Sequence, residues 1–249
     1  MCTIFFAYKI YSNYPLIYLG NRDEFYNRPT QRAKFYNNVF MGKDLRKGGT
    51  WFGFHKNGRI GFLTNYRDMA DINENASTRG HLITNYLNSQ LSPREYLKSV
   101  DSEIHKYNGF NLVLGSFDEL IYYSSVKGEC QTLEPGIYGL SNSFLNTPWF
   151  KVEKGIKKIK DLELIDVDRL FKVLSDQTLA DDSLLPETGL PYEAEKALSS
   201  IFVSYENYGT VSQQVILYDG RCIEYYDRII DDQFTDIKHT RMIVGEYYD

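Results

Sequence analysis

The chain has 249 residues and a formal net charge of −5 at pH 7, and hydrophobic residues make up 43% of it. A chain of this size and composition can bury a full hydrophobic core without stabilisation by disulfide bonds or a metal ion. The acidic balance and the scattered lysines and arginines argue against nucleic acid as a partner. No repeat, low-complexity tract or linker interrupts the sequence, so we expect one domain over residues 1–249.

Cysteine usage and hydropathy indicate a protein of a reducing compartment. The three cysteines, Cys2, Cys130 and Cys222, are far apart and form no CxxC pattern, so we expect reduced thiols and no metal site. The apolar N-terminal segment is too short for a signal peptide and lacks a basic region, and no stretch reaches the ~18 apolar residues of a membrane span. The sequence therefore predicts a cytoplasmic protein with no stable membrane insertion.

The first third of the chain predicts short antiparallel strands. Aromatic and β-branched runs alternate there with Gly, Asn and Asp turn signals. The pair Asn57-Gly58 between two runs is a strong hairpin signal, and Asp219-Gly220 repeats it late in the chain. The strands of this first set are predicted over 2–10, 15–20, 38–42, 50–55 and 59–66.

Helices and further strands are predicted in alternating groups after residue 76. Ser77 or Thr78 would cap the first helix, and Ser92, Pro93 and Glu95 have the pattern of a helix start in the second. This order of strand runs segregated from helix pairs favours an α+β layered fold over a parallel βαβ sheet. The helices are predicted over 78–90, 92–107, 149–162, 166–176 and 192–202, and the strands over 111–117, 120–125, 136–142, 210–219, 221–230 and 240–248.

Cys2 is the candidate nucleophile. The sequence contains no GxSxG elbow, HExxH pair, phosphate loop or dinucleotide fingerprint, and its four histidines share no ligand spacing. Methionine aminopeptidase removes Met1 when the second side chain is small, which would leave a cysteine with both a thiol and a free amine. An amine that titrates near ~7.7–8.0 can act as general base for the thiol at neutral pH. The alternative is that Cys2 only opens a buried strand as a small apolar residue.

The segment GNRDEF supplies charged partners for that cysteine. It follows the apolar run LIYL, so we expect a strand that ends at Gly20 and a polar cluster at the sheet end where Cys2 lies. Arg22 would then hold the thiolate by a charge-assisted hydrogen bond, and Asp23 or Glu24 would orient the α-ammonium. A surface ion-pair loop is the alternative interpretation.

Two asparagines complete the candidate site. Asn65 and Asn142 each lie at the end of a predicted strand, where a side-chain amide is a neutral donor suited to an oxyanion. Singly, each could be a turn residue. As a set with Cys2 and Arg22 they form an acyl-transfer constellation.

Seven ordered motifs resemble those of the NRDE family, also called the transport and Golgi organisation 2 family. They run from residue 1 to the C-terminal strands, and the family takes its name from the tetrapeptide at 21–24. The motifs are MCTIFF, GNRDEFYNRP, GGTWFG, GFLTNYRD, TRGHLITNYL, GLSNS and KALSSIFV.

The resemblance implies a fold similar to N-terminal nucleophile hydrolases: an αββα sandwich of two antiparallel sheets between helix layers. It also implies a distant similarity to penicillin V acylase and bile salt hydrolase, with Cys2 as nucleophile and Arg22 and the adjacent acid as its support. Asn65 would be the first oxyanion amide and Asn142 the second polar strand-end residue. Family members commonly have an arginine after YGT, where this chain has Val211, and this difference weakens the implied amidase activity.

Two functions stay open at this point. One is hydrolysis of an amide or thioester of a small acyl compound, which needs no cofactor. The other is a non-catalytic carrier or chaperone that binds haem or an acyl lipid such as acyl-CoA between the sheets, in line with the family's links to haem trafficking and lipid homeostasis. A pure interaction module would leave the polar residues at predicted strand ends unexplained.

Overall fold

A computed structural model describes residues 2–230 and 236–245. No helix in these two ranges is long and apolar enough to cross a bilayer. The strands are β1 (Cys2–Tyr11), β2 (Tyr14–Phe25), β3 (Thr30–Tyr36), β4 (Val39–Asp44), β5 (Phe52–His55), β6 (Arg59–Asn65), β7 (Phe110–Ser116), β8 (Leu120–Ser124), β9 (Glu129–Thr132), β10 (Gly136–Leu140), β11 (Ser204–Tyr205), β12 (Tyr208–Tyr218), β13 (Cys222–Ile229) and β14 (Ile237–Ile243). The helices are α1 (Gly80–Asn88), α2 (Pro93–Ser102), α3 (Phe150–Lys160), α4 (Val167–Leu174) and α5 (Tyr192–Ala197), with 3₁₀ turns at Met69–Asp71, Ile104–Lys106 and Asp182–Leu184.

The strands form two antiparallel sheets, each with seven strands within the described ranges. Sheet A has the order β10-β1-β2-β12-β13-β14, and β11 pairs with β12. Sheet B runs sequentially from β3 to β9. The first two strands, β1 and β2, therefore lie inside sheet A, between β10 from the middle of the chain and β12 from its last part.

The two sheets and the helices form four layers. On β1, Ile4 and Phe6 pack into an aromatic core between the sheets, while Phe5 and Ala7 on the opposite face pack against α3 and α4. Helices α1 and α2 cover the outer face of sheet B. A strand buried on both faces reads as a continuous apolar run, as the segment CTIFFA does. The α+β fold and the four-layer αββα sandwich are confirmed.

Most predicted elements are confirmed, including both hairpins and the capping box of Ser92 and Glu95. Strands β3, β9 and β11 have no counterpart among the predictions. The prediction of Ser77 or Thr78 as helix cap is wrong: α1 begins at Gly80, whose carbonyl accepts a hydrogen bond from the backbone of Thr50. The predicted helix over 192–202 ends at 197, and the predicted strand over 240–248 is confirmed to 243, with 246–249 outside the described residues.

The prediction that the second strand ends at Gly20 is also wrong. Strand β2 continues to Phe25 because β12 pairs with it to its end, with Thr210 opposite Asp23, while β1 flanks it as far as Arg22. The tetrapeptide at 21–24 is therefore part of a central strand and does not form a surface loop. Local polarity predicts a loop there, but two flanking strands satisfy the backbone of the segment.

Candidate active site

Strand register brings Cys2 and Arg22 together. The two residues are direct partners in the β1–β2 pair, so their side chains project from the same face of sheet A. Because side chains alternate along a strand, Glu24 shares that face, whereas Asp23 points to the helix layer. Cys2, Arg22 and Glu24 line a cavity of about 110 Å³ between the sheets.

Sheet B and the segment before α1 form the other walls of this Cys2 cavity. Asn65 lies at the end of β6, as predicted, and lines the same cavity as Cys2. Four predicted site residues thus come together, and two, Asp23 and Asn142, are not among the lining residues. The walls are completed by Arg28, Asp44, Gly49, Thr50, Trp51, Leu63, Thr78, Arg79 and Gly80.

Two arginines and two carboxylates form an ion-pair network in the cavity wall. Arg22 Nη2 lies 2.6 Å from Asp44 Oδ2, and Arg28 Nε lies 2.7 Å from the same oxygen. Arg28 Nη1 is 3.0 Å from Glu24 Oε2. The guanidinium of Arg22 also stacks on the Trp51 ring at 4.7 Å.

These contacts change the role predicted for Arg22. Its guanidinium donates hydrogen bonds to Asp44 and, at 2.7 Å, to Thr30 Oγ1, and within the described ranges none goes to the Cys2 sulfur. The stacking on Trp51 and the bond to Asp44 fix the group in that orientation. Arg22 therefore contributes a fixed positive charge beside the thiol.

The Cys2 thiol is protonated at neutral pH in this environment. Burial raises its pKa to about 11; the carboxylates Asp23 and Glu24 add to the rise, and Arg22 opposes it. For Asp44, burial would raise the pKa, but the Lys47 backbone hydrogen bond and the charges of Arg28 and Arg22 outweigh it and hold the pKa below its usual range. A nucleophilic Cys2 therefore needs a base to remove its proton.

Asp23 belongs to a second charged cluster, behind β2 on the helix side. Thr210 donates a 2.8 Å hydrogen bond to Asp23 Oδ1, and the buried Lys151 of α3 lies close enough to affect its charge. Burial raises the pKa of Asp23, whereas the charge of Lys151 opposes the rise. Burial in turn lowers the pKa of Lys151 to about 8. Of the two acids in the tetrapeptide, only Glu24 lines the cavity.

The two predicted asparagines differ in their contacts. Asn142 Nδ2 donates a 3.0 Å hydrogen bond to the backbone carbonyl of Asn65, and the backbone of Arg67 donates to the Asn142 carbonyl at 2.8 Å. Asn142 thus holds the end of β6 in place. The side-chain amide of Asn65 has no hydrogen-bond partner among the described residues, and Asn65 lines the Cys2 cavity. It is a donor available to an oxyanion.

Sequence reasoning gave no role to four of the wall residues, Arg28, Asp44, Trp51 and Arg79. Three of them lie in motifs of the resemblance, GNRDEFYNRP, GGTWFG and TRGHLITNYL, which could have indicated them. Asp44 lies in no such motif.

Val211, in place of the family arginine, is the extra residue of a β-bulge on β12. It lines a separate cavity, with Arg28 and Thr30, and is not among the lining residues of the Cys2 cavity.

Comparisons with known proteins agree with this fold. A family profile described as "Transport and Golgi organisation 2" matches residues 1–232. The chain is 36% identical over 255 residues to a Transport and Golgi organization protein 2 homolog of Bos taurus, with 88% of this chain and 89% of the relative covered. A Mus musculus homolog is 34% identical over 248 residues, with the same shares covered.

Among solved structures, the Caenorhabditis elegans N-acylethanolamine-hydrolyzing acid amidase ortholog superposes with a TM-score of 0.53. The two share 15% identity, and the match covers 87% of this chain and 92% of that one. At this identity the likeness shows the fold alone, which is that of N-terminal nucleophile hydrolases. The match to the family profile and the identity to both relatives show that the chain belongs to the transport and Golgi organisation 2 family.

Proposed function

We propose that the protein is an N-terminal cysteine hydrolase that cleaves an amide or thioester of a small acyl compound after removal of Met1. The observation that carries the proposal is the shared cavity, in which Cys2, the fixed charge of Arg22 and the unpartnered amide of Asn65 lie together. A nucleophile, a positive field and an oxyanion donor are the parts that acyl transfer requires.

The base in this proposal is the α-amino group of mature Cys2. Burial raises the pKa of the Cys2 thiol, so the thiol needs a base, and none of the described lining residues is a histidine. An α-amine titrates near ~7.7–8.0, so a large neutral fraction is present at physiological pH. Retention of Met1 would turn this amine into an amide and remove the base.

The reaction then proceeds in two steps. The neutral amine takes the thiol proton as the sulfur attacks the carbonyl carbon, and Asn65 Nδ2 donates to the oxyanion. The C–N or C–S bond breaks, and the α-ammonium gives its proton to the leaving group. Water, deprotonated by the same amine, attacks the acyl-cysteine, so the carboxylic acid leaves and the thiol is restored.

Acyl-enzyme trapping tests the proposal. Protein whose mass shows Met1 removal is mixed with p-nitrophenyl hexanoate in a Cys130→Ala background, because Cys130 is an exposed thiol that would react on its own. We expect one hexanoyl group on Cys2 within a single turnover, and at least ~100-fold slower release of nitrophenol in Cys2→Ala. A Cys222→Ala variant is the matched control and should acylate normally. Acylation elsewhere, or a chain that retains Met1 in its native cell, would contradict the proposal.

A haem or acyl-lipid carrier stays the alternative prediction. The Cys2 cavity itself has a volume of about 110 Å³ and adjoins a second cavity of about 250 Å³, so the lining of the Cys2 cavity, and not its size, distinguishes the two functions. Five charged residues line it, namely Arg22, Glu24, Arg28, Asp44 and Arg79. The cavity thus favours a small polar reacting group over a large apolar ligand, and a saturable Soret shift on haem titration would reverse that preference.

A further inference from the structure

A second, larger cavity adjoins the Cys2 cavity. The outer cavity has a volume of about 250 Å³ and shares two lining residues, Asn65 and Arg79, with the Cys2 cavity. Its other walls come mainly from residues 66–72 and 108–109. A substrate whose carbonyl lies between Cys2 and Asn65 would therefore pass Arg79 on its way to the outer cavity.

Arg79 differs from the other arginines of the Cys2 cavity because no carboxylate balances it. Arg22 and Arg28 are paired with Asp44 and Glu24, whereas Arg79 has no ion pair with any described residue. Its recorded hydrogen bond runs from Nη1 to the backbone carbonyl of Gly109 at 2.8 Å. The remaining guanidinium donors of a largely buried arginine are therefore available to a ligand.

The charge of Arg79 is felt inside the site. Burial lowers the pKa of Arg79 to about 10, and the positive charge of Arg28 lowers it further, whereas Cys2 and Glu24 raise it. Arg79 therefore remains a cation at neutral pH. The described lining residues carry three guanidinium groups against two carboxylates. The cavity beside the thiol thus has an uncompensated positive charge.

Helix α1 adds to this field. Arg79 is its N-cap residue, no side chain caps its first turn, and Gly80 at its start is part of the cavity wall. The N-terminal end of a helix attracts anions through its free N–H groups and its dipole. The acidic residues Asp68 and Asp71 line only the outer cavity, so an anion is favoured at the inner end, beside Arg79.

We propose that Arg79 and the first turn of α1 bind an anionic group of the substrate, a carboxylate or a phosphate, at the junction of the two cavities. The inference rests on the proposed hydrolase function for the identity of the ligand, but the anion site itself can be tested without turnover. The substrates would then be amides or thioesters of acidic compounds, with the acid close to the bond that is cleaved.

Ligand binding to the inactive Cys2→Ala protein tests the anion site. Isothermal titration calorimetry compares two matched pairs: N-hexanoylglycine with its neutral carboxamide, and N-hexanoyl-phosphoethanolamine with neutral N-hexanoylethanolamine. We expect at least one acid to bind about tenfold or more tightly than its neutral partner, as one charge-assisted contact would give. The two pairs distinguish a carboxylate from a phosphate site.

The variant Arg79→Gln, in the same Cys2→Ala background, should lose this preference and keep the affinity for the neutral partners. Arg79→Lys should keep part of it, and Arg94→Gln, at an exposed arginine of α2, should change nothing. Equal affinity for acid and neutral ligand, a preference that survives Arg79→Gln, or no binding of either acid would overturn the proposal. A preference that depends on Arg79 in a protein that never acylates at Cys2 would support the anion site and reject the hydrolase.

Discussion

The Cys2 side chain has a different chemistry before and after the removal of Met1. With Met1 retained, it is a buried thiol whose pKa is about 11, beside charges that are already paired with one another. With Met1 removed, the same residue acquires an amine that is neutral over much of the physiological range. Cleavage of the Met1–Cys2 peptide bond would therefore create the base that the proposed reaction needs.

The pH profile of thiol alkylation should separate the two forms. In protein produced with methionine aminopeptidase inhibited, so that Met1 is kept, alkylation by iodoacetamide should rise about tenfold per pH unit up to the pKa of about 11, because only the thiolate reacts. In the mature protein, alkylation should level off near pH ~8, where the amine becomes neutral. Mass spectrometry of the Cys2 peptide in a Cys130→Ala background measures both. Superimposable profiles would show that the amine takes no part.

At the scale of elements, the cavity wall depends on a close contact between two glycine-containing segments, one at Gly49 and one at Gly80. A Cβ placed on Gly49 would lie 2.7 Å from the backbone carbon of Gly80, and one placed on Gly80 would lie 2.9 Å from the backbone nitrogen of Thr50. The segment before β5 and the start of α1 thus touch backbone to backbone. This close approach explains why GGTWFG and TRGHLITNYL, distant in sequence, both contribute to the site.

Gly49→Ala should force these two segments apart. The contact is with backbone and cannot be relieved by a rotamer change, so we expect a loss of about 1–3 kcal/mol in the free energy of unfolding, measured by urea denaturation. Acylation of Cys2 should slow as well, because the wall moves. Gly136→Ala is the control, since the atoms nearest to its added Cβ, at 3.0–3.1 Å, belong to the side chain of Tyr138 and not to backbone. If Gly49→Ala is no less stable than Gly136→Ala, the backbone contact between Gly49 and Gly80 does not hold the wall in place.

At the scale of the molecule, the candidate site is also a place where the two sheets are tied together. Arg22 on sheet A bonds Asp44 on sheet B, and Trp51 Nε1 donates a 3.1 Å hydrogen bond to Gln214 of β12. The site therefore lies on contacts that hold the layers in register. Disruption of the site should cost stability as well as activity.

Asp44→Asn should show this double effect. Removal of the carboxylate charge leaves the buried Arg22 without its closest partner, so we expect a loss of about 3 kcal/mol at pH 7. Since the folded-state pKa of Asp44 is lowered, the stabilisation is complete above the unfolded pKa near ~3.9 and is lost as the pH falls through the folded pKa.

Urea denaturation at several pH values measures this difference. Asp161→Asn removes an exposed ion pair with Lys157 and should cost less than ~1 kcal/mol. A difference between wild type and Asp44→Asn that stays constant down to pH 3 would contradict the assignment.

The sequence by itself determined the layered α+β class, both hairpins and the capped start of α2, and it proposed Cys2, Arg22, Asp23 or Glu24, Asn65 and Asn142 as one candidate site. These features depend on local pattern: alternation, turn residues and caps act over a few residues. Sequence reasoning also placed Asn65 at a strand end, because a run of β-branched and aromatic residues stops there.

Only the tertiary structure decided the rest. Strand β2 continues through the polar tetrapeptide because β1 and β12 flank it, and pairing by distant strands is invisible to local pattern. The same pairing turns Asp23 to the helix layer and Glu24 to the cavity. Arg79 stands beside Cys2 because glycines far apart in the chain let two backbones touch. Side-chain chemistry was readable from the sequence, whereas the face and the neighbours of each side chain depend on contacts between segments that only folding brings together.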